Sequence, residues 1–255
     1  MDVLVCVKRV PAPGAKIVLT PDGQAIDTRH LGFTVSPHEE CAVEEAVRIS
    51  ERHGGTATVL TLGPPEAVEQ LQAALAMGAH RGVLVEIAES EWDPQATAAA
   101  IADAVRDLQA EGARFDLLLF GTESADAANY QVGIRVAYAL DLPVVTGGKR
   151  IEVGQGGVTV HRGVPDGFEV YELPTPAVVC VQEGINLPRY PTVMGRMKAR
   201  KAELTRLAPE RRDGGLATVG LRHPPQAETE TVVLGAGADA APAVVDVFEQ
   251  LGVLR

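Results

Sequence analysis

Over residues 2–146, short and nearly unbroken apolar runs alternate with longer stretches in which apolar positions recur at helical spacing. The runs DVLVCVK (2–8), TATVLTLG (56–63), RGVLVEI (81–87) and FDLLLFG (115–121) have strand length, and their continuity is that of parallel strands covered on both faces. Helices are predicted between and after them. The first opens at Ser36-Pro37-His38-Glu39, where serine at the N-cap, proline at N1 and glutamate at N3 make a capping box, and runs to Gly54-Gly55. The second opens at Pro64-Pro65 and ends near Gly78, with Leu71, Ala74 and Leu75 on one stripe; the third has Asp93 as cap, Pro94 at N1 and a face carrying Ile101, Val105 and Leu108. A fourth is predicted from about Asn129 to Leu140. Strands alternating with helices at this spacing mean βαβ units, right-handed crossovers and a doubly wound parallel sheet.

After about residue 147 the pattern changes. Runs at 149–153, 158–162, 167–173 and 177–182 are separated by GQGG, VPDG and PTP, the turn chemistry of antiparallel hairpins that extend or flank the parallel sheet. From 183 to about 225 the chain is rich in Pro, Gly and Arg and reads as an irregular excursion with one helical turn near 197–203; a last helix is predicted over 240–251.

Composition narrows the function. With 46% hydrophobic and 22% charged residues the chain is an ordinary globular one, and five Phe, four Tyr and one Trp in 255 residues are too few for a stacking platform that binds single strands. A formal charge of −11 disfavours nucleic acid and anionic lipid as partners. One segment departs from that average: between Arg189 and Arg212 lie eight basic residues and only two acids, Glu203 and Glu210. Cys6, Cys41 and Cys180 are far apart without a CxxC, which predicts a reducing compartment and no zinc site. VLVCV follows the first two residues without a charged leader or a long apolar run, so a soluble protein, cytoplasmic in a bacterium and without membrane insertion, is expected.

In an open α/β sheet, ligands bind at the carboxyl ends of the strands beside the switch point. Residues 6–9, 36–39, 62–64 and 121–126 are predicted to converge there. GTESAD followed by ANYQVG offers a tight glycine turn, hydroxyls and a helix N-terminus, a combination that binds phosphate and equally serves as a plain capping loop. No GxSxG, GxxxxGK[ST], HExxH or GxGxxG motif occurs, so no catalytic residue is predicted. Glu44-Glu45 reads as a solvated helix face, Asp126 as a cap or a ligand contact, and Cys6 as a small buried apolar residue.

VCVKRVPAP (5–13), SPHEECAVEEAVRI (36–49), LGPPEAVEQLQAALAMGAHRG (62–82), the GTESAD…YQVG loop (121–133) and PAVVCVQEGINLPRYPTVMGRMKARKAEL (176–204) resemble the beta subunit of electron-transfer flavoprotein. They occur in the family's order over nearly the whole chain, and the last block is the most specific. The resemblance implies an adenine-nucleotide alpha-hydrolase-like, Rossmann-like α/β fold over 1–225 with a tail, 226–255, whose helix packs on a partner subunit. It implies an electron carrier rather than an enzyme. An alpha subunit would hold the redox-active FAD, and this subunit would bury a structural AMP. The heterodimer would take electrons from acyl-CoA and related dehydrogenases in fatty acid oxidation and pass them to a quinone oxidoreductase.

Carried over by position, AMP contacts fall at Cys6, at Ser36, Pro37, His38 and Glu39, and at Leu62. They continue through Gly121, Thr122, Glu123, Ser124, Ala125 and Asp126 to Tyr130, Gln131 and Val132. A dehydrogenase recognition loop falls at about 181–203, with Val193 at the anchoring apolar position among Pro191, Thr192, Met194, Arg196 and Lys198. The chain departs from the family pattern at Ser36, where many relatives have Asn, at Val193-Met194, in place of Leu-Pro, and at Gly163, where single-flavin relatives often carry an acid. Three alternatives stand beside this reading: a bifurcating-type subunit with a second FAD in the AMP site, a universal-stress-type nucleotide-binding module, and a free-standing hydrolase or ligase.

Overall fold

A computed structural model describes residues 1–88, 92–212, 215–225 and 231–254. The four apolar runs form β1 (Val3–Val7), β4 (Ala57–Gly63), β5 (Arg81–Glu86) and β6 (Leu117–Gly121), while Val10–Pro11 (β2) and Phe33–Thr34 (β3) make a small antiparallel pair. The helices are α1 (Pro37–His53), α2 (Val68–Met77, after a 3-10 turn at Pro65–Ala67), α3 (Pro94–Ala110) and α4 (Val132–Ala139). Pro37 and Pro94 stand at the first helical turn as predicted, and the Asp93 carboxylate accepts the Gln95 and Ala96 N–H groups. The downstream elements are β7 (Val144–Gly154), β8 (Gly157–Val164), β9 (Gly167–Pro174), β10 (Ala177–Val181), α5 (Val193–Ala199) and β11 (Leu204–Leu207).

One nine-stranded sheet runs in the order β11-β5-β4-β1-β6-β10-β7-β8-β9, parallel from β11 to β7 and antiparallel across β8 and β9. Alternation along each strand separates two cores. Val3, Val5, Val59, Leu117, Leu119 and Val179 face α1 and α2; Leu4, Cys6, Leu60, Leu118, Phe120 and Val178 face α3 and α4. Both faces are covered, as the continuous apolar runs predict.

Three predicted elements differ from the structure. The run at 177–182 is not part of a hairpin: β10 lies between β6 and β7, parallel to both, with all five residues buried. AVVCV is a fully buried strand, and the turn-like PTP before it masks that signature. The fourth helix begins at Val132 rather than 129, because Ala128 and Tyr130 have φ of 45° and 56°, which no right-handed helix accommodates. The excursion after 183 contains a full helix at Val193–Ala199 and an edge strand, β11, parallel to β5. A Cβ at Gly82 would meet Leu204 Cδ2 at 2.5 Å, so the missing side chain at Gly82 makes room for Leu204.

The chain divides into two compact units, Met1–Gly220 and Leu221–Arg255. Within the second, a 3-10 turn (Gly237–Ala240) leads into α6 (Ala241–Gln250), on which Val244, Val245 and Phe248 form an exposed apolar stripe. The first residues of the tail expected from 226, residues 226–230, lie outside those described. Among the described residues no helix is long and apolar enough to cross a membrane.

Candidate functional site

β1 and β6 are neighbours at the middle of the sheet, yet α1 leaves from the β1 side over one face and α4 follows β6 on the other. Their carboxyl ends therefore flank the crevice of a doubly wound sheet. Lys8 stands just past β1, and its ammonium pairs with Asp126 at 2.8 Å. The Lys8 backbone N–H donates to Glu39 Oε2 at 3.1 Å, and the same oxygen accepts the Ser36 N–H at 3.3 Å, completing the predicted capping box at the start of α1. Ser36 Oγ accepts the Ala125 N–H at 3.0 Å. His38 Nε2 lies 3.4 Å from Glu123 Oε1, while His38 Nδ1 accepts the Glu183 N–H at 2.8 Å. Thr122 donates its N–H and its hydroxyl to the Val181 carbonyl at 2.9 and 3.0 Å. Segments following β1, β6 and β10 are thus tied to the first turn of α1.

Gly121 makes this closeness possible. A Cβ there would meet Glu39 Cγ at 2.7 Å and His38 Cβ and the Glu123 carbonyl at 3.2 Å. Backbone passes where a side chain would fill the space.

The charges are unevenly solvated. Burial pushes the Glu39 carboxyl up to about 8, against two backbone N–H donors and the Lys8 charge, which work in the other direction. For Asp126, burial also raises the pKa, but the Lys8 charge and hydrogen bonds from Lys8, Ser124 and the Ala127 N–H outweigh it, so the carboxylate is held below its ordinary value. A hydrogen bond to Glu123 raises the pKa of the exposed Tyr130 hydroxyl.

Other residues expected at the site are placed nearby without joining this network. Cys6 and Leu62 pack in the core facing α3, and burial raises the Cys6 thiol far above its ordinary value. Pro37 is exposed, Gln131 accepts Arg135 Nε at 3.0 Å, and Val132 opens α4. Lys8 belongs to the 6–9 segment expected at the crevice but is not among the expected nucleotide contacts; its position one residue past an apolar strand is the signal that could have singled it out.

Downstream, Thr192 caps α5 by accepting the Gly195 N–H at 2.9 Å. Val193 and Met194 are about three-quarters exposed, and Met197 is half exposed. Pro191 is half-buried at the helix entry. Of the basic run, Arg206 pairs with Glu86, Arg212 with Asp103 and Arg189 with Glu44 and Glu51, whereas Arg196 and Lys198 face solvent and make no ion pair with the described residues. Glu44-Glu45 is not a solvated face: the two residues are 2% and 7% exposed. The segment following β10 folds back over α1 and covers them, a contact invisible to local periodicity.

Together the sheet order, the two-faced core and the crevice at β1 and β6 define a doubly wound, Rossmann-like α/β protein. The sequence profile of the family described as "Electron transfer flavoprotein domain" matches residues 25–211. "Electron transfer flavoprotein subunit beta" of Bacillus subtilis (strain 168) is 31% identical over 97% of both chains. "Acryloyl-CoA reductase electron transfer subunit gamma" of Anaerotignum propionicum is 34% identical over 78% of this chain and 74% of its own. "Caffeyl-CoA reductase-Etf complex subunit CarD" of Acetobacterium woodii is 34% identical over 80% and 77%. The chain belongs to the electron transfer flavoprotein family, on the beta-subunit side, and its role is that of an electron-transfer subunit.

Proposed function

We propose that this chain pairs with an alpha subunit, holds a structural AMP in the crevice between β1 and β6, and presents α5 to acyl-CoA-type dehydrogenases, the heterodimer passing electrons on to a quinone oxidoreductase. The observation that carries the nucleotide part is the approach of the Gly121 backbone to the first turn of α1, beside the Lys8 ammonium. Without a side chain at Gly121 the loop backbone packs directly against that turn, and a helix N-terminus next to a cation suits a phosphate. The residues present fit the group: Lys8 would neutralise the phosphate, Gly121 and the loop to Asp126 would approach it by backbone, and Cys6 and Leu62 would wall the apolar side. FAD, held mainly by the alpha subunit, supplies the redox chemistry. The exposed stripe of α6 would pack on that subunit, and the working location would be the bacterial cytoplasm.

Co-expression with the alpha subunit, denaturing extraction and identification of the released cofactors tests this reading. One AMP and one FAD per heterodimer, with a colourless isolated chain, is the expected result. Two relatives are named as parts of reductase complexes, and this favours a second reading in which a second FAD occupies the AMP site. Two FAD and no AMP per heterodimer would establish that alternative in place of the first.

A further inference from the structure

The segment between β10 and α5 turns alternate groups inward and outward. Leu187 and Tyr190 are 85% and 93% exposed, whereas Asn186 and Arg189 reach back to α1. Asn186 Nδ2 donates to the Cys41 carbonyl and to Glu45 Oε2, both at 2.9 Å. Arg189 spans two carboxylates that lie on one face of α1, about two turns apart. Its Nε and Nη2 donate to the two oxygens of Glu44 at 2.9 and 3.1 Å, its Nη1 and Nη2 to those of Glu51 at 2.7 and 3.0 Å, and its backbone N–H again to Glu44 at 3.1 Å. Arg48 Nε adds a further contact to Glu44 at 3.0 Å.

Glu44 is almost wholly buried, and a carboxylate there is tolerable only because donors surround it. The planar guanidinium is what lets one side chain serve both acids; an ammonium has no such fork. The hydrogen bonds and charge of Arg189 correspondingly hold the Glu51 carboxyl below its ordinary value.

At its far end the segment is anchored by close packing. A Cβ on Gly195 would meet the Ala76 carbonyl at 2.8 Å, and Ala199 is buried against the body of the protein. Helix α5 has seven residues, too few to persist alone in water, so its direction comes from these anchors.

Resting on the docking role proposed above for α5, we infer that Arg189 is a positioning residue: clamped between Glu44 and Glu51, it holds α5 in its docking orientation before any dehydrogenase arrives. In this role it acts through α5 and not on the partner or the cofactor directly. Its charge is spent internally, so it does not belong with Arg196 and Lys198 as a steering charge. Fixing the segment in advance removes an ordering cost that binding would otherwise bear.

The test uses the reconstituted heterodimer with Arg189→Ala, Arg189→Lys, Glu51→Gln and Val193→Ala, reduced by an acyl-CoA dehydrogenase and its substrate while the heterodimer concentration is varied. Arg189→Ala is expected to raise KM for the heterodimer about 3- to 10-fold, the range set by one or two newly mobile side chains, with kcat and the flavin spectrum unchanged. Lys should restore part of the loss, and Glu51→Gln, on the exposed half of the clamp, should give a smaller rise in the same direction and decides the matter if Arg189→Ala fails to fold. Amide exchange in α5 should quicken in these variants while that of α3 stays constant, a readout that needs no dehydrogenase. Unchanged exchange in α5 together with unchanged KM in the Arg189 and Glu51 variants would overturn the inference. If Val193→Ala raises KM while the clamp variants do not, the clamp fails and the docking role stands; if α5 exchange quickens but no variant moves KM, the docking role fails and this inference fails with it.

Discussion

Two loops leave the carboxyl edge of the sheet, one after β6 and one after β10, and both come to rest on α1, yet they finish differently. The 121–131 loop meets the first turn of the helix and turns its polar groups inward, toward Lys8, Ser36 and His38. The 183–192 loop meets the middle of the helix, puts Arg189 and Asn186 against Glu44 and Glu45, and sends Val193 and Met194 outward. A helix N-terminus leaves N–H groups and a partial positive charge unshared by the helix itself, while the body of the helix has no free N–H and anchors the second loop through the Glu44, Glu45 and Glu51 carboxylates and the Cys41 carbonyl. The first loop therefore suits the small charged ligand proposed for it, and the second leaves an apolar tip exposed.

The strongest perturbation of this contrast is expected at Glu39. Its pKa in the folded protein, about 8, lies above the ordinary value of 4.5, so folding favours the protonated form. That contribution to stability is complete below about pH 4.5 and is lost progressively as pH rises toward 8. Glu39→Gln keeps the neutral form at every pH. Denaturant titrations should give nearly equal stabilities near pH 4 and a variant more stable by roughly 5 kcal/mol above pH 8; parallel curves across that window would show that Glu39 is ionised throughout.

Gly121→Val comes next. Crowding against Glu39 and His38 should cost about 2 kcal/mol in stability and remove bound nucleotide from the heterodimer. Nucleotide content is read after denaturing extraction, and full retention would reduce the loop to a capping structure.

On the second loop the expected effects are smaller. Val193→Ala should weaken dehydrogenase binding by about 1 kcal/mol, mainly through faster dissociation, as for a small apolar anchor leaving its pocket. Smallest at physiological salt is Arg196→Glu with Lys198→Glu, since exposed charges are screened beyond about 8 Å. Their signature is a slower association whose dependence on ionic strength is flattened or reversed, measured by stopped-flow reduction. Wild-type behaviour of both variants would leave α5 as a solvated connection between strands.

How much of this was legible in the sequence differs between the loops. The first was readable because each of its parts is local: a strand that ends in Gly121, hydroxyls after it, and a capping box at Ser36 and Glu39 that names its own helix N-terminus. Lys8 lies within the 6–9 segment expected at the crevice, yet a lone cation past a strand does not by itself mark a contact. The second loop was readable as a resemblance but not as physics. Glu44 and Glu45 sit on a helix where two adjacent acids ordinarily mean water, and the arginine that covers Glu44 lies 145 residues further along the chain.

The sequence by itself determined the parallel core, the helix starts and stops, and the two-faced sheet, since strand continuity, helical spacing and capping act between near neighbours. It also determined the family, through long blocks in a set order. Only the tertiary structure decided that β10 enters the middle of the sheet, that Leu204 finds its place over Gly82, that Glu39 and Glu44 are buried, and that Arg189 faces inward. Those outcomes depend on which surfaces meet after the chain has closed over distances of tens to more than a hundred residues. The burial of a charge is a property of that meeting rather than of the residue that carries it.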